Sequence, residues 1–126
     1  MFENLQIFRL SGAMAAHAGQ RQAVVATNLA NSDTPGYRAQ RIGAFAETYR
    51  GGAETTLRAS RPGHLGAGPP LSRSRPEDAG GEASPNGNAV SVEAEMLASV
   101  DAAREHARAL AIYRHGMTVI RMSLGR

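Results

Sequence analysis

The side chains best suited to metal binding or proton transfer are four histidines, His17, His64, His106 and His115. No two of them stand four apart, the spacing that puts a pair on one helical face, and the chain has no cysteine to accompany them. They read as surface or interface residues. The glycines at 63, 66 and 68 precede no Lys-Ser/Thr pair, so they do not spell a phosphate loop. Glu93 and Glu95 suit the first turns of a helix, where the macrodipole favours negative charge. No metal site, cofactor site or catalytic constellation emerges, and an enzyme is not expected. The denser chemistry is hydrogen bonding to the backbone, in the run ATNLANSDTPGYRAQ from Ala26 to Gln40. Asn28, Asn31, Ser32 and Asp33 carry short polar side chains that compete with helical backbone bonds. Thr34 is pushed extended by the proline after it, and Pro35-Gly36 suits the two central positions of a type II turn.

That run ends a helix. From about residue 3 to 31, Ile7, Leu10, Met14, Ala18, Val25 and Leu29 recur by threes and fours with one skipped turn at Arg21. Small side chains at Ala13, Ala15, Ala16 and Ala18 permit close approach by another helix, while Gly12 and Gly19 each weaken the isolated helix by about 1 kcal/mol. The helix needs a partner. Residues 41–50 hold a short apolar cluster, Ile42, Ala44, Phe45, Ala46 and Tyr49, expected to form a helical turn or two ended by Gly51-Gly52 and to fold back on the helices. Residues 51–90 contain eight glycines and five prolines, a composition that belongs to flexible segments; within them the less polar stretch around His64 suits a short extended piece.

The strongest periodicity lies from Ser91 to the end. Met96, Val100, Ala103, Ala107, Leu110, Met117 and Leu124 alternate spacings of four and three if Arg114 is skipped. Ser91 is the expected N-cap, and Arg114, Arg121 and Arg126 complement the C-terminal end of the dipole. The rod is roughly 50 Å long at about 1.5 Å per residue. The expected organisation is 1–50, the N-terminal helix, corner and short apolar segment; 51–90, the flexible segment; and 91–126, the C-terminal helix. The two terminal parts form one all-α unit, an antiparallel helical pair.

Composition limits what such a pair can do. At 42% hydrophobic, with six large aromatics and no tryptophan in 126 residues, a deep core is not expected. All fourteen basic side chains are arginine, and they spread evenly: five against three carboxylates in residues 1–50, four against four in 51–90, five against four in 91–126. With no basic face and no interleaved aromatics, nucleic-acid binding is not expected. No run approaches the roughly 18 apolar residues of a membrane span, and Glu3 precedes the first arginine, unlike a secretory leader.

Three places resemble flagellar rod, hook and hook-associated proteins. The matching residues of their ANNIANxxTPGY-like run are Ala26, Asn28, Leu29, Ala30, Asn31, Thr34, Pro35, Gly36 and Tyr37. PNGNAVSVEAEM, from Pro85 to Met96, is similar to the DGN-V-xLExEM pattern that opens the C-terminal helix of these axial proteins, with Asn86 where the pattern has aspartate. The closing IYRHGMTVIRMSLGR resembles the C-terminal segment of rod subunits. Short length, the RPGHL segment and the lack of a large insertion look most like the proximal-rod FlgB family, with a sister proximal-rod subunit as the other option. The resemblance implies a structural subunit, exported by the flagellar type III apparatus without a cleaved signal peptide. Such subunits stack helically in the periplasmic rod of the basal body and transmit motor torque. Their terminal helices pack as a coiled coil. By that resemblance, Leu10, Met14, Val25 and Leu29 pack against Val100, Ala107, Leu110 and Met117, and Asn28, Asn31, Thr34, Pro35, Gly36 and Tyr37 shape the corner that contacts neighbouring subunits. Implied partners are copies of the chain, other rod subunits, basal-body ring and rod-adaptor proteins and the export apparatus, with no small-molecule substrate and no cofactor.

A small helical adaptor or chaperone that binds a partner's amphipathic helix would use the same stripes. The corner separates the two possibilities, because a simple adaptor does not need it. An adaptor folds alone, whereas a rod subunit gains helix on assembly.

Overall fold

A computed structural model describes residues 2–53 and 74–125. The chain is an antiparallel pair of long helices closed at one end by a polar joint. The first helix, α1, is Phe2–Ala30. A two-residue strand β1 (Gln40–Arg41), a short helix α2 (Phe45–Ala53) and a second two-residue strand β2 (Glu77–Asp78) follow, and the last helix, α3, is Val92–Ser123. The mostly helical architecture with paired terminal helices is the one the periodicities predict. Ser91 has an extended backbone and its hydroxyl accepts from the Ala94 N–H, so it caps α3 as expected.

The helices run antiparallel in one register. Phe8 meets Tyr113 edge to face at 5.1 Å, Arg21 pairs with Glu105 at 2.7 Å, and the Gln22 amide donates to the Ser99 hydroxyl at 2.9 Å. Between these crosslinks the seam is made of small residues. Ser11 and Ala18 on α1, and Ala102 and Ala109 on α3, are buried, each pair seven residues apart. Gly116 continues the α3 row another seven on, and a Cβ there would stand 3.3 Å from the Phe8 ring. Small side chains let the axes approach closely, as Ala18 led one to expect; Ala13 and Ala15 are half-buried and Ala16 is exposed.

One expectation is corrected. Gly51 and Gly52 do not end the short apolar helix, because α2 runs through both to Ala53. Glycine lowers helix stability by about 1 kcal/mol without forbidding the conformation. Within the Gly/Pro-rich stretch, residues 74–90 take up defined bonds: β2 pairs antiparallel with β1, Gln40 opposite Asp78 and Arg41 opposite Glu77, and the Ala79 N–H donates to the Ala39 carbonyl at 2.9 Å. Chain pairing supplies here what side-chain burial does not. The short piece expected around His64 lies outside the described residues. Among the described residues, no helix is long and apolar enough to cross a membrane.

Candidate functional site

The corner after α1 is built from backbone groups that a finished helix leaves unbonded. The Asn31 N–H reaches back to the carbonyls of Thr27 and Asn28, and its side-chain amide also donates to Thr27 at 2.8 Å. The Tyr37 N–H closes a turn on the Thr34 carbonyl, with Gly36 at φ +72° as the type II turn at Pro35-Gly36 requires. The Thr34 hydroxyl donates to the Asn31 side-chain oxygen at 3.2 Å. Thr34, Pro35 and Gly36 are exposed, while Asn31 and Tyr37 are half-buried.

Asn28 joins the corner to the rest of the chain. It is 1% exposed. Its amide nitrogen donates to the Gln40 carbonyl at 2.7 Å and to Glu95 Oε1 at 2.9 Å. Its oxygen accepts from the Gln40 N–H at 3.0 Å and from the Tyr37 hydroxyl at 3.2 Å. Two donors and two acceptor sites are all an asparagine amide has, and all four are used. One side chain thus ties α1, the corner, β1 and the first turns of α3.

A second buried asparagine completes the joint. Asn88 donates through its amide to the Asn31 and Thr34 carbonyls, at 2.9 and 2.7 Å, and its oxygen accepts from the Val90 N–H at 2.8 Å. It is held by a tight loop in which the Gly87 N–H bonds the Ser84 carbonyl and the Ser84 N–H bonds the Asn88 carbonyl. Pro85 and Asn86 are the central residues of a type I turn, followed by Gly87 at φ +82° in the left-handed conformation. The loop and the corner touch backbone to backbone: Gly36 N–H donates to the Asn86 carbonyl, and a Cβ on Gly87 would stand 3.2 Å from the Gly36 Cα. Asn86, standing for aspartate, loses nothing essential here, since its role is to accept from the Asn88 N–H, and a neutral oxygen does that at 3.0 Å. Beside the joint, the Gly80 N–H and then the Arg38 guanidinium hold the exposed Asp78 carboxyl below its ordinary range.

Of the corner residues, Asn28, Asn31 and Tyr37 therefore serve bonds within the chain, and Thr34, Pro35 and Gly36 present the outer face. Asn88 and Glu95 also belong to this site. Asn88 stands in the PNGNAV run, and Glu95 does more than answer the helix dipole. Their partners lie 54 to 67 positions away, so no local spacing announces them.

The apolar stripes divide differently. Met14, Val25 and Met117 are half-buried at the seam's edge. Leu10, Leu29, Val100 and Leu110 are more than a third exposed, and Ala107 is exposed too. On α3 the row Met96, Val100, Ala103, Ala107 and Leu110 lies about a third of a turn around from Ala102 and Ala109, at about 100° per residue. Met96 and Leu97, 62% and 69% exposed, head that outer ridge. Between the helices, on the same side, Gly19, Ala23 and Ala26 of α1 and Ala102, Ala103 and His106 of α3 line an open groove of about 500 Å³. Among the described residues no group of His, Cys, Asp and Glu could hold a metal ion.

His17, read from the sequence as a surface or interface residue, is buried within the chain. It is 4% exposed, with its ring edge to face against Phe45 at 5.5 Å and neither nitrogen in a hydrogen bond of ordinary geometry. Its spacing in the apolar α1 pattern gave no sign of this, because Phe45 comes from another element. His106 and His115 are exposed, and His64 lies outside the described residues.

The fold and site define a helical hairpin locked by an asparagine joint, with many of its large apolar side chains left outside. Residues 10–38, most of α1 and the corner through Arg38, match the family model of the flagella basal body rod protein. The likeness extends over that segment, most of α1 and the corner. No curated protein matches the chain significantly.

Proposed function

We propose that the chain is a structural subunit of the proximal rod, similar to the FlgB family, which assembles helically with its own copies and other rod subunits to transmit torque. The observation that carries this reading is the division of apolar side chains. A seam of Ser11, Ala18, Ala102 and Ala109 closes the hairpin, while Leu10, Leu29, Met96, Val100 and Leu110 remain exposed. Burying apolar surface is worth about 25 cal/mol per Å², so these side chains are a large unclaimed driving force for association. Neighbours bound through a heterologous contact repeated by a helical rotation form an open filament. The exposed Thr34-Pro35-Gly36 tip, held rigid from behind by Asn28 and Asn88, is a second surface for neighbouring subunits and for ring or rod-adaptor proteins. Export by the flagellar type III apparatus and a place in the periplasmic rod belong to the same proposal.

Deleting the gene and imaging purified basal bodies by electron microscopy, with motility scored in the same cells, tests it. Loss of the rod, restored by the intact gene, is the expected outcome. Normal flagella would exclude it and leave a helical adaptor, which the same exposed ridge would serve.

A further inference from the structure

Among the described side chains, His17 is the one whose buried polar atoms make no hydrogen bond of ordinary geometry; the Gly43 backbone bears on the ring as an acceptor, and both ring nitrogens are sealed from water. It sits where three helices meet. Phe45, the first residue of α2, lays its ring against the imidazole, and Tyr49, one turn on, leans on Phe45 at 5.6 Å. The contact seating α2 on the hairpin is therefore apolar on the Phe45 side and ionisable on the His17 side. Every element packed around the ring bears on its charge. Along α1, Arg21 disfavours a second positive charge; from α3, Glu105 favours it but is already held by Arg21 at 2.7 Å; from the link before α2 comes the Gly43 backbone, with Glu47 lying against Gly43.

We propose that His17 is a proton-operated latch: neutral, it seats Phe45 and holds α2 on the hairpin; protonated, it releases α2 while α1 and α3 stay paired. A buried imidazolium must find water or an acceptor. Drawing Glu105 away would break the pair with Arg21, whereas moving Phe45 aside uncovers one side of the ring without that loss. Desolvation, partly offset by Glu105, holds the ring below the 6.5 of a free histidine. The unfolded chain then takes up the proton more readily than the folded one. Stability owed to neutral His17 is complete above pH 6.5 and is lost as pH falls below it. The seam is unaffected, since Ala18, Ala102 and Ala109 do not titrate.

NMR of the full chain from pH 8 to pH 5 tests the latch, following the His17 ring together with the amides of residues 43–49, and of Ala102 and Ala109 as seam reporters. The expected result is one midpoint below 6.5 shared by the ring and residues 43–49, with the seam amides unmoved. Titration of His17 with residues 43–49 undisturbed, or loss of the seam at the same midpoint, overturns the proposal. In His17→Leu, residues 43–49 should stay docked down to pH 5, and release at the original pH overturns it. Should that variant fail to fold, Glu105→Gln carries the test: losing the favourable carboxylate must move the release to lower pH, and an unmoved midpoint overturns it. The rod reading stands or falls separately, because none of these outcomes bears on whether the gene is needed for a rod.

Discussion

The two ends of the hairpin are held by opposite means. At the corner, Asn28 and Asn88 are almost fully buried and hydrogen-bonded across four segments. Along the helices the contact is a row of alanines with Ser11, and the large apolar side chains lie outside it. A saturated polar network contributes modest net stability but penalises every alternative arrangement, because a misplaced partner leaves a buried group unbonded. An alanine seam is the reverse: it tolerates sliding and buries little area per residue. The joint, with the crosslinks Phe8–Tyr113, Arg21–Glu105 and Gln22–Ser99, therefore sets the register and the alanine seam follows it. Many of the hairpin's large apolar side chains stay exposed.

The largest effect should come from the joint. Asn28→Ala takes the partner from the Gln40 N–H and carbonyl, which meet in the part-buried joint, and unties Glu95 and Tyr37. At about 1–3 kcal/mol for each buried group left unpaired, a loss of about 3 kcal/mol is expected in urea unfolding followed by circular dichroism. Asn31→Ala, half-buried and bonded mainly within its own turn, should cost about 1 kcal/mol or less. Equal costs for the two would remove the distinction between a joint and an ordinary helix end.

Two adjacent residues on α3 separate seam from ridge. Ala109 is completely buried between the helices, so Ala109→Leu should cost about 1–3 kcal/mol in the isolated chain through overpacking. Leu110 is 36% exposed, so Leu110→Ala should cost less in the isolated chain while weakening rod assembly. The comparison is made by unfolding the purified chain and by imaging basal bodies from cells carrying each variant. If Leu110→Ala proves the costlier change in the isolated chain, the seam has been placed on the wrong face.

Gly87→Ala attacks the joint from the loop. The residue would sit at φ +82° with its Cβ 3.2 Å from the Gly36 backbone. A left-handed non-glycine residue costs about 1–2 kcal/mol before any contact is counted, and backbone on the far side gives way poorly. The lost bonds should show as faster amide exchange at Gly36 and Ala89, whose N–H groups tie corner and loop together.

Much of this was legible in the sequence, and what was not has physical causes. Both long helices, the Ser91 cap and the Pro35-Gly36 turn follow from local rules, since caps and turns are decided within a few residues. The face chosen by α3 does not. Its periodicity supports two stripes, one through Ala102 and Ala109 and one through Met96, Val100 and Leu110. Weighting by side-chain size selects the second, whereas close approach of two helices selects the first. The roles of Asn88 and Glu95 rest on contacts dozens of positions away, and His17 looks like one more residue of α1 until Phe45 is brought to it. The bonds of residues 74–90 are made by backbone groups and by polar side chains such as Asn88, and so leave no trace in hydrophobicity.

The smallest expected effects bear on what the ridge and groove are for. Gly12 and Gly19 both lie inside α1, and a Cβ on either meets nothing within 4 Å. Replacing either by alanine should stabilise the isolated chain by up to about 1 kcal/mol, because alanine forms helix more readily and restricts the unfolded chain. The two differ in place: Gly19 lines the groove beside the seam. If the groove receives a neighbour's side chains in the rod, Gly19→Ala should raise the unfolding midpoint yet reduce rod assembly, while Gly12→Ala raises it without that loss. Two variants that behave alike in both measurements would leave the outer ridge as the assembly surface and the groove as a by-product of small residues at the seam.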